Sequence, residues 1–109
     1  MNNVKLLNTL QFVIYGNDVQ RIRQIRVNEA GSLDIVLDVH GMTVHAARQL
    51  IMNIVNIMQN TPMDLGIIHG YNHGTAIKDM LAAENFNGRL SERSCPKRNP
   101  GLTNLRIAA

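Results

Sequence analysis

In residues 33–40 the apolar Leu33, Ile35, Leu37 and Val39 alternate with Asp34, Val36, Asp38 and His40, and this segment constrains the fold more than any other part of the chain. Successive side chains of a β-strand point to opposite faces, so the pattern predicts a strand with one buried face. Asp38 and His40 lie two residues apart and therefore share a face where this strand ends. Gly41 follows them directly, so the strand is expected to end in a polar pair and a glycine.

A helix and a second strand are predicted directly after this strand. Residues 43–58 carry apolar side chains at spacings of three and four, which is typical of an amphipathic helix, with Thr43 as its N-cap. Pro62 cannot continue a helix, and residues 65–68 then form a short apolar run that predicts a buried strand. A strand, a helix and a strand over this length predict a right-handed crossover, whose two parallel strands end on the same side of the sheet.

The rest of the chain predicts further elements of a small mixed sheet packed by helices, so the expected fold class is α/β. Before the crossover, residues 19–28, with Ile22, Ile25 and Val27, favour a partner strand joined by a hairpin loop at 29–32. After it, the patterns predict a helix at 74–84, strands at 89–94 and 102–107, and a basic loop at 95–101. The first 18 residues predict an extra helix or a partner-binding arm, so residues 1–30 are treated as an N-terminal extension of a domain at 31–109.

Composition excludes several classes of protein. The 109 residues have room for one domain, and 45% apolar with 17% charged residues is ordinary globular usage rather than that of a disordered chain. No apolar run approaches the roughly 20 residues of a membrane span, and the start does not read as a secretory signal. We therefore expect a cytoplasmic protein without a membrane partner. Cys95 is the only cysteine, which excludes an intramolecular disulfide and a CxxC site.

The net charge of +3 is unevenly distributed along the chain. Residues 85–109 hold five basic side chains and one acidic side chain. Such a region is a reasonable footprint for a polyanion, usually nucleic acid, although a mildly basic, well-solvated surface explains it equally well. The side chains expected to grip a nucleic-acid backbone are Arg89, Arg93, Lys97 and Arg98.

Both predicted parallel strands end in the same dipeptide, His40-Gly41 and His69-Gly70. Ligands of open α/β sheets bind beyond the carboxyl ends of the strands, where loops and helix N-termini present backbone N–H groups. Two imidazoles at this place could take a proton from a nucleophile and give one to a leaving oxygen, while Asp38 orients one of them. We therefore expect Asp38, His40 and His69 to be catalytic. The residues expected to hold a phosphate are Gly41, Gly70, Asn72, His73, Gly74 and Thr75.

Other roles for these residues stay open. A single histidine at a strand end is more often an ordinary loop residue than a catalyst. Asp38, His40 and His69 also form a set of two histidines and one carboxylate, but no further carboxylate or cysteine lies nearby in sequence to complete a closed metal site. The cofactor is therefore unknown from the sequence, and a divalent metal stays open as an alternative that the sequence does not itself indicate.

The motifs around the two histidines resemble those of the Smr (small MutS-related) domain family. That family has an LDxHG strand end and an HGxG loop, and the resemblance covers residues 31–109. The matching residues are Leu37, Asp38, His40 and Gly41 in the first motif, and His69 and Gly70 in the second. The second motif departs from the family at Asn72, which stands in place of a glycine, and Gly74 follows two residues later.

The resemblance implies a two-layer α/β sandwich in the order βαβαββ, similar to the C-terminal domain of translation initiation factor three. It also implies nucleic-acid binding and, as in many members, endonuclease cleavage of DNA or RNA, with Asp38, His40, His69 and Gly70 implicated in activity. Some members bind without cutting. The alternative is therefore a non-catalytic module that binds RNA, the ribosome or a partner protein, and a nucleotide or sugar-phosphate binder is a third reading.

Overall fold

The structure is a computed structural model that describes residues 20–29, 31–58, 60–70 and 75–109. In chain order, the elements of these residues are β1 (Ile22–Val27), β2 (Leu33–Asp38), α1 (Val44–Ile57), β3 (Met63–Ile68), α2 (Ala76–Ala83), β4 (Leu90–Ser94) and β5 (Leu102–Ile107). The predicted α/β class is confirmed. The helix or arm expected in the first 18 residues lies outside the described residues.

The five strands form one mixed sheet in the order β1-β2-β3-β5-β4. β2 and β3 are parallel, with Asp38 opposite Ile68, and the other neighbouring strands are antiparallel. The predicted pairing of two parallel strands across a helix is thus confirmed, and α1 is that helix. The carboxyl ends of β2 and β3 consequently lie side by side.

The strand predicted before residue 31 is β1, which pairs with β2 across a hairpin. Within this hairpin, the amide of Asn28 donates to the carbonyl of Ser32 at 2.9 Å, and the amide of Gly31 donates to the carbonyl of Asn28 at 3.0 Å. The expected boundary between residues 30 and 31 falls inside the hairpin. β1 is therefore an edge strand of the same sheet as the rest of the described chain.

One face of the sheet packs against the helices. The inward side chains of β2, β3 and β5 form a single core with the apolar sides of α1 and α2. The largest fully buried side chains are Phe86, Leu33, Ile35, Leu37, Ile51, Ile54, Met63, Leu65 and Ile67. The alternate strand positions, among them Asp34, Asp64 and Arg106, lie on the opposite face, which we call the open face. None of the described helices is long and apolar enough to cross a membrane.

Several loops meet where β2 and β3 end. The amide of Val39 donates to the carbonyl of Ile68 at 2.9 Å, which continues the parallel pairing past β2. The amides of His69 and Gly70 both donate to the carbonyl of Gly101, at 2.8 and 3.1 Å. The loop between β4 and β5 therefore reaches the same end of the sheet. We call this end the rim, formed by residues 38–43, 68–70 and 95–101.

Candidate functional site

Asp38 and His40 form a hydrogen-bonded pair at the rim. The Nδ1 of the His40 ring contacts Oδ1 of Asp38, and the His40 backbone amide donates to the same oxygen at 3.2 Å. A carboxylate only accepts hydrogen bonds, so the Nδ1–H of the ring is the donor and Nε2 is left for another partner. The His40 side chain is 65% exposed, against 12% for Asp38. The predicted orientation of an imidazole by Asp38 is thus seen in the structure, with the ring turned to solvent.

Two arginines, Arg21 just before β1 and Arg23 within it, hold the other side of this pair. Arg23 donates from Nη2 to Oδ2 of Asp38 at 3.3 Å. Arg21 donates from Nη1 to the carbonyls of Asp38 and His40, at 3.1 and 3.2 Å. Burial raises the pKa of Asp38, but the hydrogen bonds and charge of His40 and the hydrogen bond of Arg23 outweigh it, so this pKa lies below its ordinary value. Asp38 is therefore held as a carboxylate.

Gly70 lies directly beside His40. A Cβ on Gly70 would be 3.7 Å from the Cβ of His40, and Gly70 has a φ of 75°. Gly41, on the other side of His40, has a φ of 79°, and a Cβ there would meet nothing within 4 Å. Both positions need the left-handed backbone that glycine adopts without strain. The two His-Gly dipeptides therefore do converge at the rim, where Gly70 lies against the side chain of His40 and Gly41 faces open space.

The ring of His69 has a different environment from that of His40. His69 is buried, and its Nε2 lies 2.8 Å from the hydroxyl of Thr103. Its Nδ1 lies 2.8 Å from the carbonyl of Gly70, so Nδ1 carries the donated hydrogen. Thr103 faces the helices with the other inward residues of β5, whereas Asp38 lies on the open face. The structure therefore brings the two backbones together but points the two imidazoles to opposite sides of the sheet.

The predicted phosphate loop is described only in part. Asn72, His73 and Gly74 lie outside the described residues. Thr75 donates its hydroxyl to Oδ2 of Asp79 at 3.0 Å, and Asp79 is in the first turn of α2. A carboxylate at that position competes with an anionic ligand for the positive end of the helix. The start of α1 is more favourable for an anion, because its first turn holds no acidic side chain and follows Gly41 at the rim.

The four predicted nucleic-acid contacts separate in the folded chain. Lys97 and Arg98 are exposed in the loop at 95–101, and neither has a partner in the part of the chain that the structure describes. Arg93 donates to the carbonyl of Glu84 at 2.7 Å. Arg89 lies at the other end of the sheet, where its guanidinium binds backbone carbonyls at the end of α1. Only Lys97 and Arg98 belong to the rim.

A hollow of about 340 Å³ lies on the open face and not at the rim. Its charged residues are largely paired with one another, since Arg106 binds both Asp64 and Glu92 at 3.1 Å. Among the described residues, no three His, Cys, Asp or Glu side chains are grouped so that they could hold a metal ion.

Three residues around the site were not identified from the sequence. Arg21 and Arg23 reach Asp38 because β1 pairs with β2 in a bulged register. The sequence predicted the hairpin but not that register. Thr103 could have been found, because it occupies an inward position of β5 in line with Leu105 and Ile107. A polar residue in such a row needs a buried hydrogen-bond partner, and His69 supplies it.

The function of the protein has to be inferred from this arrangement. Comparisons of the chain with protein-family models, with curated proteins and with solved structures find no significant match. The resemblance to the Smr domain therefore rests on its motif residues. The geometry of Asp38, His40 and their neighbours at the rim supplies the remaining evidence.

Proposed function

We propose that the protein is a nucleic-acid-binding protein of the Smr type that cleaves phosphodiester bonds of RNA or DNA at the rim. The observation that carries this proposal is the solvent-exposed His40 ring, paired through Nδ1 with the buried carboxylate of Asp38. The proposal includes the finer fold that the resemblance implies, a βαβαββ sandwich at residues 31–109 similar to the C-terminal domain of translation initiation factor three. It also keeps the cytoplasmic location.

His40 acts as the general base in this proposal. Its Nε2 takes the proton of the nucleophile, which is a water molecule or a ribose 2′-hydroxyl, as the nucleophile attacks phosphorus. The bond from phosphorus to the leaving oxygen breaks, and that oxygen is protonated by water or by the imidazolium of His40. Asp38 accepts the Nδ1–H throughout, which fixes the ring and stabilises the imidazolium. His69 is a positioning residue, because both its ring nitrogens are already bound within the protein.

The basic loop and the glycines hold the substrate. In this proposal Lys97 and Arg98, which are exposed in the rim loop, contact phosphates that flank the bond to be cleaved. Such contacts position a nucleic acid without reading its sequence. The open space at Gly41 leaves room for the reacting phosphate beside His40, and Gly70 presents backbone without a side chain next to it. Arg89 and Arg93 are left out of the interface, because their guanidinium groups bind carbonyls elsewhere in the fold.

The second candidate is a module that binds RNA, the ribosome or a partner protein at the rim without cutting. The buried His69 ring favours it, because only one of the two expected imidazoles can exchange protons with a ligand. This candidate requires the same basic loop and the same exposed His40. Product formation distinguishes it from the first, whereas affinity does not.

The test is a cleavage assay with labelled single-stranded, duplex and branched RNA and DNA, in EDTA and with added Mg²⁺ or Mn²⁺. We expect the wild-type protein to release product, and His40→Ala to slow cleavage about 10²–10⁴-fold, as loss of a general base does. The matched control is His45→Ala, since His45 is an exposed histidine in the first turn of α1. This variant should cleave at the wild-type rate. Equal rates for His40→Ala and wild type would contradict the catalytic role. Binding without any product would select the second candidate.

A further inference from the structure

We propose that Arg23 of β1 is a positioning residue for the proposed reaction, acting on His40 through the carboxylate of Asp38. The inference rests on the proposed function and extends it, since it adds to the site a strand that lies outside the two histidine motifs. It also makes the site depend on the pairing of β1 with β2.

The two oxygens of Asp38 have separate partners. Oδ1 accepts from the ring and from the backbone amide of His40, while Oδ2 accepts from Nη2 of Arg23 at 3.3 Å. The carboxylate is therefore fixed from both sides. Without Arg23, one oxygen loses its charged donor and the group can turn about its terminal torsion, which is broad for aspartate. The direction of the His40 ring, and with it the position of Nε2, would then be less well defined.

A β-bulge brings Arg23 to this place. The pairing of β1 with β2 shifts register between Ile22, opposite Leu37, and Gln24, opposite Val36, so Arg23 is an extra residue in the strand. Bulges re-aim side chains and occur beside active sites. The half-buried Ile22 and Ile25 pack against the core, and the residues between them are exposed. Arg23 thereby lies on the face that carries Asp38.

Arg21 fixes the backbone of the same pair. It donates to the carbonyls of Asp38 and His40, so the turn that carries the ring is held at two points. The charged side chains against the Asp38 carboxylate are Arg23 from β1 and His40 from its own loop, while β3 presents Ile68 on the other side. Among the side chains described here, Arg23 is thus the cation from another strand that binds this carboxylate.

The experiment compares Arg23→Gln and Arg23→Lys with Arg26→Gln. Arg26 is the matched control, because it is a similarly exposed arginine of the same strand that pairs with Asp34, away from the rim. For Arg23→Gln we expect kcat to fall by about tenfold or more, as for other outer partners of a site, with KM within about twofold. Arg23→Lys should recover part of the loss, and Arg26→Gln should cleave as the wild type does.

A second measurement does not depend on cleavage. The carboxyl carbon of Asp38 is followed by NMR as pH is lowered, in the wild type and in the same variants. Arg23→Gln should move the titration of Asp38 to higher pH and Arg26→Gln should not, in proteins whose thermal unfolding is unchanged. An Asp38 titration that is the same in all variants would overturn the inference, and so would an Arg23→Gln enzyme with wild-type kcat. A wild type that cuts nothing refutes the proposed cleavage instead, and the Asp38 titration then decides alone whether Arg23 positions the pair.

Discussion

Two histidines that occur in the same dipeptide have opposite surroundings in the folded chain. His40 lies on the same face of the sheet as Asp38 and is exposed. His69 lies on the opposite face, toward the helices, and is buried. The carbonyl of Gly70 and the hydroxyl of Thr103 satisfy both nitrogens of His69, which removes the cost of burying them. The repeated His-Gly pattern therefore predicted the shared place of the two residues but not their different roles.

Asp38 should make the stability of the protein depend on pH. Its pKa is lowered in the folded state, so its contribution is fully present above the ordinary aspartate pKa of about 4 and is lost as pH falls through the lower folded value. We expect Asp38→Asn to reduce the free energy of unfolding by about 1.5–3 kcal/mol at pH 7, the range for hydrogen bonds to charged groups. Urea unfolding from pH 7 to pH 3 measures this difference.

The control for this prediction is Asp34→Asn, at a carboxylate whose partner Arg26 is well exposed. Exposed pairs contribute about 0–1 kcal/mol, so the loss at neutral pH should be smaller than for Asp38→Asn. The difference between wild type and Asp38→Asn should also shrink as the solution becomes acidic. A difference that stays constant down to pH 3 would show that the charge of Asp38 is not its source.

At the scale of elements, the two ends of α1 are stabilised in different ways. Thr43 caps the start, since its hydroxyl oxygen accepts from the amide of Ala46 at 3.1 Å, as predicted. At the end, Arg89 donates to the carbonyl of Val55, to that of Met58 at 3.3 Å and to that of Thr61 at 2.9 Å. The last carbonyls of a helix have no partner within it, so a cation there satisfies them and complements the helix dipole.

Arg89→Ala should therefore destabilise the fold and leave nucleic-acid binding unchanged. We expect the free energy of unfolding to fall by about 1.5–3 kcal/mol, because three partly buried carbonyls lose a charged donor. Arg93→Ala is the control, since Arg93 is exposed and binds a single carbonyl, that of Glu84. Its removal should lower the free energy of unfolding by about 1 kcal/mol or less. Chemical denaturation measures both. If Arg89→Ala leaves the stability unchanged but weakens nucleic-acid binding, Arg89 contacts the nucleic acid, as the sequence had suggested.

The elements themselves could largely be predicted, and their contacts could not. Periodicity and capping are local properties, so α1, α2 and the strands of the crossover were predicted close to their observed bounds. Phe86 is fully buried in the turn after α2, with a φ of 53°, and no local pattern marks a turn residue as core. The bulge at Arg23 was also missed, because register depends on how two strands pair and not on the sequence of one.

For the whole molecule, folding redistributes the charge that the sequence concentrates near its C-terminal end. Arg89 lies at the end of α1, and Arg106 is bound to Asp64 and Glu92. Lys97 and Arg98 remain at the rim, where Arg21 and Arg23 from the other end of the described chain join them. The cations near the site therefore come from both ends of the described chain, and fewer of them are available for the proposed phosphate contacts than a count of basic residues suggests.

A site that contacts few phosphates should bind nucleic acid with an affinity that depends only weakly on salt concentration. We expect Lys97→Gln/Arg98→Gln to weaken nucleic-acid binding and to reduce the slope of log K against log salt by about 1.4 on single strands or about 1.8 on duplex DNA. The matched control is Arg26→Gln/Arg106→Gln, which removes two arginines paired with acids away from the rim and should leave the slope unchanged. Equal slopes for the rim variant and the wild type would place the phosphate contacts elsewhere. Titrations at several salt concentrations make this measurement.

The amino-acid sequence by itself determined the elements, the parallel pair of strands and the meeting of both His-Gly dipeptides at one end of the sheet. These follow from periodicity, capping and chain connectivity, which are properties of neighbouring residues. Only the tertiary structure decided that His40 is exposed, that His69 is bound to Thr103, and that Arg23 reaches Asp38. Those outcomes depend on which face a side chain takes and on the register between distant strands, and both are set by packing of the whole sheet.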